Sequence, residues 1–107
     1  MVQLRQDYQE FVRRDSAIFA VNPEDRKTVA AFWNRENIPF PGICDPDHRI
    51  ADQYGQVDSP ATMGRAPAVF IIDRTGVIRY EHHGTSAADI PENAFILYLI
   101  DELNKER

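Results

Sequence analysis

Cys44 is the one cysteine among 107 residues. No internal disulfide is open to it, and any two-thiol chemistry needs a second partner. A cysteine attacks as its thiolate, which a helix N-terminus or a cationic neighbour stabilises. Asp45-Pro46-Asp47, immediately after Cys44, is a helix-start signature, so a favourable dipole is in prospect. Asp45 and Asp47 act the other way, because nearby carboxylates disfavour a thiolate. On balance Cys44 reads as a packed or half-buried structural thiol. The metal-binding residue types are His48, His82 and His83 with Asp45, Asp47 and Glu81. Neighbouring residues on a strand point to opposite faces, so His82 and His83 do not readily serve one ion. Neither a metal nor a cofactor is expected. The sequence contains no Gly-rich phosphate loop and no Ser-His-Asp set.

The formal charge is −5, from 12 basic and 17 acidic residues. That balance argues against nucleic acid and anionic membrane surfaces, which call for a basic patch. No apolar run approaches a membrane span, and the start lacks the apolar stretch of a signal peptide. A cytoplasmic location is the default expectation. Hydrophobic residues at 43% and charged ones at 27% suit one globular domain over residues 1–107.

The elements that must position these side chains follow from periodicity and punctuation. Leu4, Tyr8, Phe11 and Val12 make one face of an amphipathic helix over 3–14. Ala17 to Val21 is a short continuous apolar run, the pattern of a strand covered on both faces. Asn22-Pro23-Glu24-Asp25 opens a helix over about 23–36 that turns Val29, Phe32 and Trp33 inward. Ile43-Cys44 is a short extended piece. The helix opened by Asp45-Pro46-Asp47 buries Ile50, Ala51 and Tyr54 and stops at Gly55. Residues 56–66 form a polar loop. Ala68 to Ile72 is a central strand, Asp73-Arg74-Thr75-Gly76 a turn, and Val77 to His82 a strand with one open face. Asp89-Ile90-Pro91-Glu92 starts the last helix, with Phe95, Ile96, Leu99, Ile100 and Leu103 on one side. This order predicts an α/β layer fold with a mixed sheet.

Three blocks of the chain resemble the peroxiredoxin-like (AhpC/TSA, redoxin) branch of the thioredoxin superfamily. The first is Phe40 to Gly55, PFPGICDPDHRIADQYG read from Pro39. The second is Gly64-Arg65-Ala66-Pro67 with the hairpin Ala68 to Asp73 and Gly76 to Tyr80. The third is Ser86 to Asn93. The resemblance implies a thioredoxin-like three-layer fold and thiol-dependent reduction of peroxides or disulfides. It puts Pro67 at a cis-proline ahead of a strand, where Ala66 and Pro67 would meet an extended thiol or disulfide substrate. It makes Arg65 a candidate for the arginine that steadies a thiolate, displaced by two positions from its usual place at Pro67. Cys44 falls on no catalytic position of that family.

The resemblance also implies a departure. The strand and helix start that carry the family's reactive cysteine would precede Met1, so the first helix looks like the tail of the active-site helix. The missing strand would lie between 17–21 and 68–73. Those two strands either close on each other, antiparallel, in a shrunken sheet, or their edges pair with another copy as a homodimer or larger assembly. The chain as given is then expected to be inactive, the alternative role being a non-catalytic thioredoxin-fold binding or dimerisation module.

Overall fold

The computed structural model describes residues 2–56, 58–59, 64–65, 67–86 and 88–106. The chain divides into two compact units, Met1–Gln53 and Tyr54–Arg107.

The first unit begins with two short helices, α1 (Val2–Gln6) and α2 (Tyr8–Arg13), where periodicity predicts a single one. Asp7 makes the break. Its N–H still reaches Gln3 O at 3.3 Å, but its carbonyl accepts from Glu10 N–H at 2.9 Å in a tighter turn. Aspartate is a poor helix-interior residue, which is why the interruption falls there. Phe11 is buried, and the Tyr8 ring lies 6.1 Å from that of buried Phe40. Arg5 donates to Glu36 O at 2.6 Å, tying α1 to the end of the next helix.

That helix, α3 (Arg26–Glu36), starts three residues later than Pro23 suggests. Asp25 caps it, accepting from Thr28 N–H at 2.8 Å, and Asn37 in the left-handed region (φ 51°) ends it. The strands beside it, β1 (Ala20–Asn22) and β2 (Gly42–Cys44), pair in parallel with Ala20 opposite Gly42 and Asn22 opposite Cys44. The apolar run at 17–21 is therefore mostly not strand. Nor is it covered on both faces, since Phe19 is 61% and Val21 44% exposed. Among the described residues β1 pairs with β2 alone, so the shrunken sheet closed by 17–21 and 68–73 does not form. Trp33 locks β2 onto α3. Its Nε1–H donates to Phe40 O at 2.7 Å, and its ring lies where a side chain at Gly42 would have to stand.

The short helix α4 (Arg49–Gln53) closes the unit and buries Ala51. It begins four residues beyond the expected start. Asp45-Pro46-Asp47 forms a turn closed by His48 N–H on Asp45 O at 3.0 Å, with His48 at φ 59°.

The second unit has a small antiparallel ladder, β3 (Asp58–Ser59) with β4 (Gly64–Arg65), inside the stretch read from sequence as loop. The main hairpin is β5 (Ala68–Ile72) with β6 (Ile78–His83), antiparallel, with an irregularity between Ile71 and Ile72. The last helix, α5 (Asn93–Asn104), buries Asn93, Ile96 and Ile100. It starts at Asn93 because Glu92 is still extended (ψ 148°). Phe95 stands edge-on to Tyr80 of β6 at 5.8 Å yet stays largely exposed. Parallel and antiparallel pairings both occur, as predicted, but in three separate two-stranded ladders.

The Trp33–Gly42 contact is testable. A Cβ at Gly42 would lie 2.6 Å from Trp33 Cζ2, so Gly42→Ala forces the indole or the strand to shift. We expect a loss of about 1–3 kcal/mol, the usual range for overpacking, measured by urea unfolding followed on the fluorescence of the single tryptophan.

Candidate functional site

Cys44 is half-buried at the end of β2, on the wall of a shallow open groove of ≈ 490 Å³ also lined by Arg26, Val29, Trp33 and Gly42. What surrounds the thiol is decided by the next residue. Asp45 is buried, and its N–H donates to Asn22 O at 2.6 Å, continuing the β1–β2 ladder by one bond. Its carboxylate turns away to accept from Ile50 N–H at 3.2 Å and Ala51 N–H at 3.0 Å. Burial pushes this carboxyl up, but the Ala51, Ile50 and Arg49 amides together with His48 outweigh it and hold it below the ordinary 3.8. The amides at the start of α4 thus serve Asp45 and not Cys44. Among the described residues, no hydrogen bond reaches the Cys44 sulfur.

The other sequence candidates lie in the second unit. Arg65 is on β4, its backbone opposite Asp58. Ala66, and with it the Ala66–Pro67 peptide bond expected to be cis, lies outside the described residues. Pro67 stands directly before β5, and its carbonyl accepts from Gly84 N–H at 2.7 Å. Gly84 is fixed as glycine by this approach, since a Cβ there would lie 2.5 Å from Asp89 O and 2.9 Å from the Pro67 ring. The structure therefore joins Pro67 to Gly84 and Asp89, and places Cys44 in the first unit.

His82 and His83 have separate partners, as strand alternation predicts. His82 Nε2 lies 3.0 Å from Asp89 Oδ1, and His83 Nε2 lies 3.2 Å from Glu81 Oε1, with the His83 ring edge-on to Phe70 at 5.5 Å. Among the described residues, no three His, Cys, Asp or Glu side chains converge as metal ligands.

Sequence reasoning missed the work of two aspartates. Asp73 Oδ1 accepts from Thr75 N–H at 2.9 Å, Thr75 Oγ1–H at 2.6 Å and Val77 N–H at 3.0 Å. Its Oδ2 faces Arg79 at 3.3 Å, and Arg79 in turn holds Glu106 at 2.9 Å. Gly76 at φ 87° completes the turn. The Thr75 hydroxyl first, then the Val77 amide, pulls the Asp73 carboxyl down to about 2. Asp89 Oδ2 accepts from Thr85 N–H at 2.8 Å and Thr85 Oγ1–H at 3.2 Å, and these bonds with His82 hold its carboxyl low. The Asp-x-Thr-Gly spacing is an Asx-turn signal that could have found the first.

The AhpC/TSA family model matches residues 1–81, about three quarters of the chain. The chain belongs to the AhpC/TSA family. It is 27% identical over 78 residues to peroxiredoxin 2 of Sulfurisphaera tokodaii, covering 67% of this chain and 37% of that protein. It is 45% identical over 51 residues to a peroxiredoxin of Thermococcus kodakarensis, covering 44% and 23%. Among solved structures, a cysteine-to-serine mutant of peroxiredoxin 6 from Arenicola marina superposes with a TM-score of 0.85 at 21% identity, covering 96% of this chain and 52% of that one. That likeness establishes the thioredoxin-like α/β fold. The chain spans about half, or less, of the length of these relatives. The first two sequence blocks, around Asp45 and Asp73, fall within the family match, and the third, Ser86 to Asn93, lies beyond it. Among the described residues, no helix is long and apolar enough to cross a membrane.

The Asp73 turn carries a pH dependence. Its carboxyl is lower in the folded chain, about 2, than its ordinary 3.8. The stability it contributes is complete above 3.8 and is lost as pH falls through 2. Thermal melts between pH 4 and 2 should show the melting temperature of the wild type falling more steeply than that of Asp73→Asn; parallel curves would refute this.

Proposed function

We propose that this chain serves peroxiredoxin-type thiol-dependent antioxidant chemistry, the reduction of peroxides or disulfides, and that residues 1–107 alone do not turn over peroxide. Family membership supports the first part. One observation carries the second: the carboxylate of Asp45, the residue after Cys44, occupies the Ile50 and Ala51 amides at the start of α4. Peroxidatic attack needs a stabilised thiolate and donors that hold the peroxide. Cys44 has neither. Its contribution is structural, at the end of β2.

In this reading the Pro67 end of β5, with Ala66, is where a thiol or disulfide partner lies along the chain. Arg65 belongs to that same approach. The ladder edges that stay unpaired among the described residues support self-association as a homodimer or larger assembly. We place the protein in the cytoplasm, with neither nucleic acid nor membrane as partner and with no cofactor.

A second reading, a non-catalytic thioredoxin-fold binding or dimerisation module, draws on the exposure of Phe19 and Val21 at β1. Large apolar side chains left open in this way mark interaction surfaces.

The test is hydrogen peroxide consumption by the 107-residue chain with a dithiol reductant, for the wild type and for Cys44→Ser. We expect both to match the protein-free background. Catalytic consumption by the wild type that disappears in Cys44→Ser would overturn the inactivity of residues 1–107 and, with it, the second reading.

A further inference from the structure

The hairpin strand β6 ends in His82 and His83 and passes at Gly84 into the loop that carries Thr85 and Asp89. This loop is held on the Pro67 end of β5 by three linked contacts. Gly84 N–H donates to Pro67 O at 2.7 Å. The approach is so close that a Cβ on Gly84 would meet both Asp89 O and the Pro67 ring. The Asp89 carboxylate then spans the loop, with Oδ2 on the Thr85 backbone and hydroxyl and Oδ1 on His82 Nε2 at 3.0 Å. His82 Nε2 also lies 3.2 Å from Asp89 O. Of the bonds in this set, the one between the carboxylate and the imidazole is the one whose donor can itself gain or lose a charge near neutrality.

We propose that His82 and Asp89 form a proton-controlled clasp that holds Gly84 and Thr85 at the Pro67 end of β5. Imidazole is the side chain whose ordinary titration falls between pH 5 and 8. With a proton on both ring nitrogens, His82 brings a positive charge to the bond it donates to the carboxylate; with the Nδ1 proton removed, Nε2–H still donates to the carboxylate, but without that charge, and the bond is weaker. The clasp is tight on the acid side and loosens as pH rises. Its acid limit is set by Asp89, whose carboxyl is held low, so the pair stays charged well below neutrality.

The surroundings leave Asp89 as the partner that matters. Among the described residues, the hydrogen bonds and ion pair of His82 go to Asp89 alone. Along β6 the neighbouring charged groups, Glu81 and His83, pair with each other. Paired strand β5 is apolar from Ala68 to Ile72, and Val69 is the register partner of His82. Glu92, the cap residue of α5, is exposed and makes no side-chain cap bond. The clasp stands independently of the thiol chemistry proposed above.

The test is amide hydrogen exchange of the full chain at pH 5.5 and 8.0, corrected for intrinsic exchange, read at Gly84 and Thr85, with Val77 in the Asp73 turn as internal control. In the wild type, protection at Gly84 and Thr85 should be about two- to fivefold higher at pH 5.5, the range of a partly exposed ion pair. Val77 should show no such change. His82→Gln, which keeps a donor but no titration, should flatten the difference, and Thr85→Ala should preserve it. Equal wild-type protection at the two pH values, or a difference that persists in His82→Gln, would overturn the proposal.

Discussion

The buried carboxylate of Asp45 is the constraint on which the first unit depends. Its backbone extends the β1–β2 ladder through Asn22, and its side chain gathers the Ile50 and Ala51 amides of α4. A carboxylate taken out of water needs several donors to remain charged, and three backbone amides and His48 meet that need here. The same bonds give α4, too short to hold itself, a fixed start. They also commit the Ile50 and Ala51 amides to Asp45, the residue after Cys44.

The second unit repeats the device. Asp73 gathers the Thr75 and Val77 amides and positions Arg79 towards Glu106. Asp89 gathers Thr85 and fixes Gly84 against Pro67. Each of the three blocks that resemble the peroxiredoxin-like family contains one of these aspartates. What the blocks share is an arrangement in which a short acidic side chain satisfies backbone donors at a turn or helix start. The resemblance is therefore a statement about scaffold, and the fold it implies follows from these bonds without reference to the reactive cysteine. The net charge of −5 includes these structural carboxylates.

The hairpin and the final helix were legible in the sequence because the local signals agree with the tertiary result. An apolar run from Ala68, an Asp-x-Thr-Gly turn and an alternating strand point to one arrangement, and Ile96 and Ile100 mark the buried side of α5. Helix starts were harder to read. Pro23, Pro46 and Pro91 each suggest an early start, yet each helix begins after a capping or turn residue further on, at Arg26, Arg49 and Asn93. Proline permits a first turn but does not initiate one, and the bonding of Asp25 and Asp45 decides where it forms. The run at 17–21 misled for another reason. An apolar pattern records what a strand is suited to meet, and Phe19 and Val21 remain exposed in the described chain. For the candidate site, Cys44 and Pro67 could be placed by type and neighbours, whereas the direction of the Asp45 carboxylate is a tertiary fact with no sequence signature of its own.

We propose that Cys44 is a structural thiol, without the donors that peroxide reduction requires. The decisive quantity is the second-order rate of sulfenic acid formation at Cys44 in the native chain treated with hydrogen peroxide at neutral pH, followed by mass spectrometry against an unstructured cysteine peptide. A structural thiol reacts within a few-fold of the peptide. A rate faster by several orders of magnitude would make Cys44 the reactive centre.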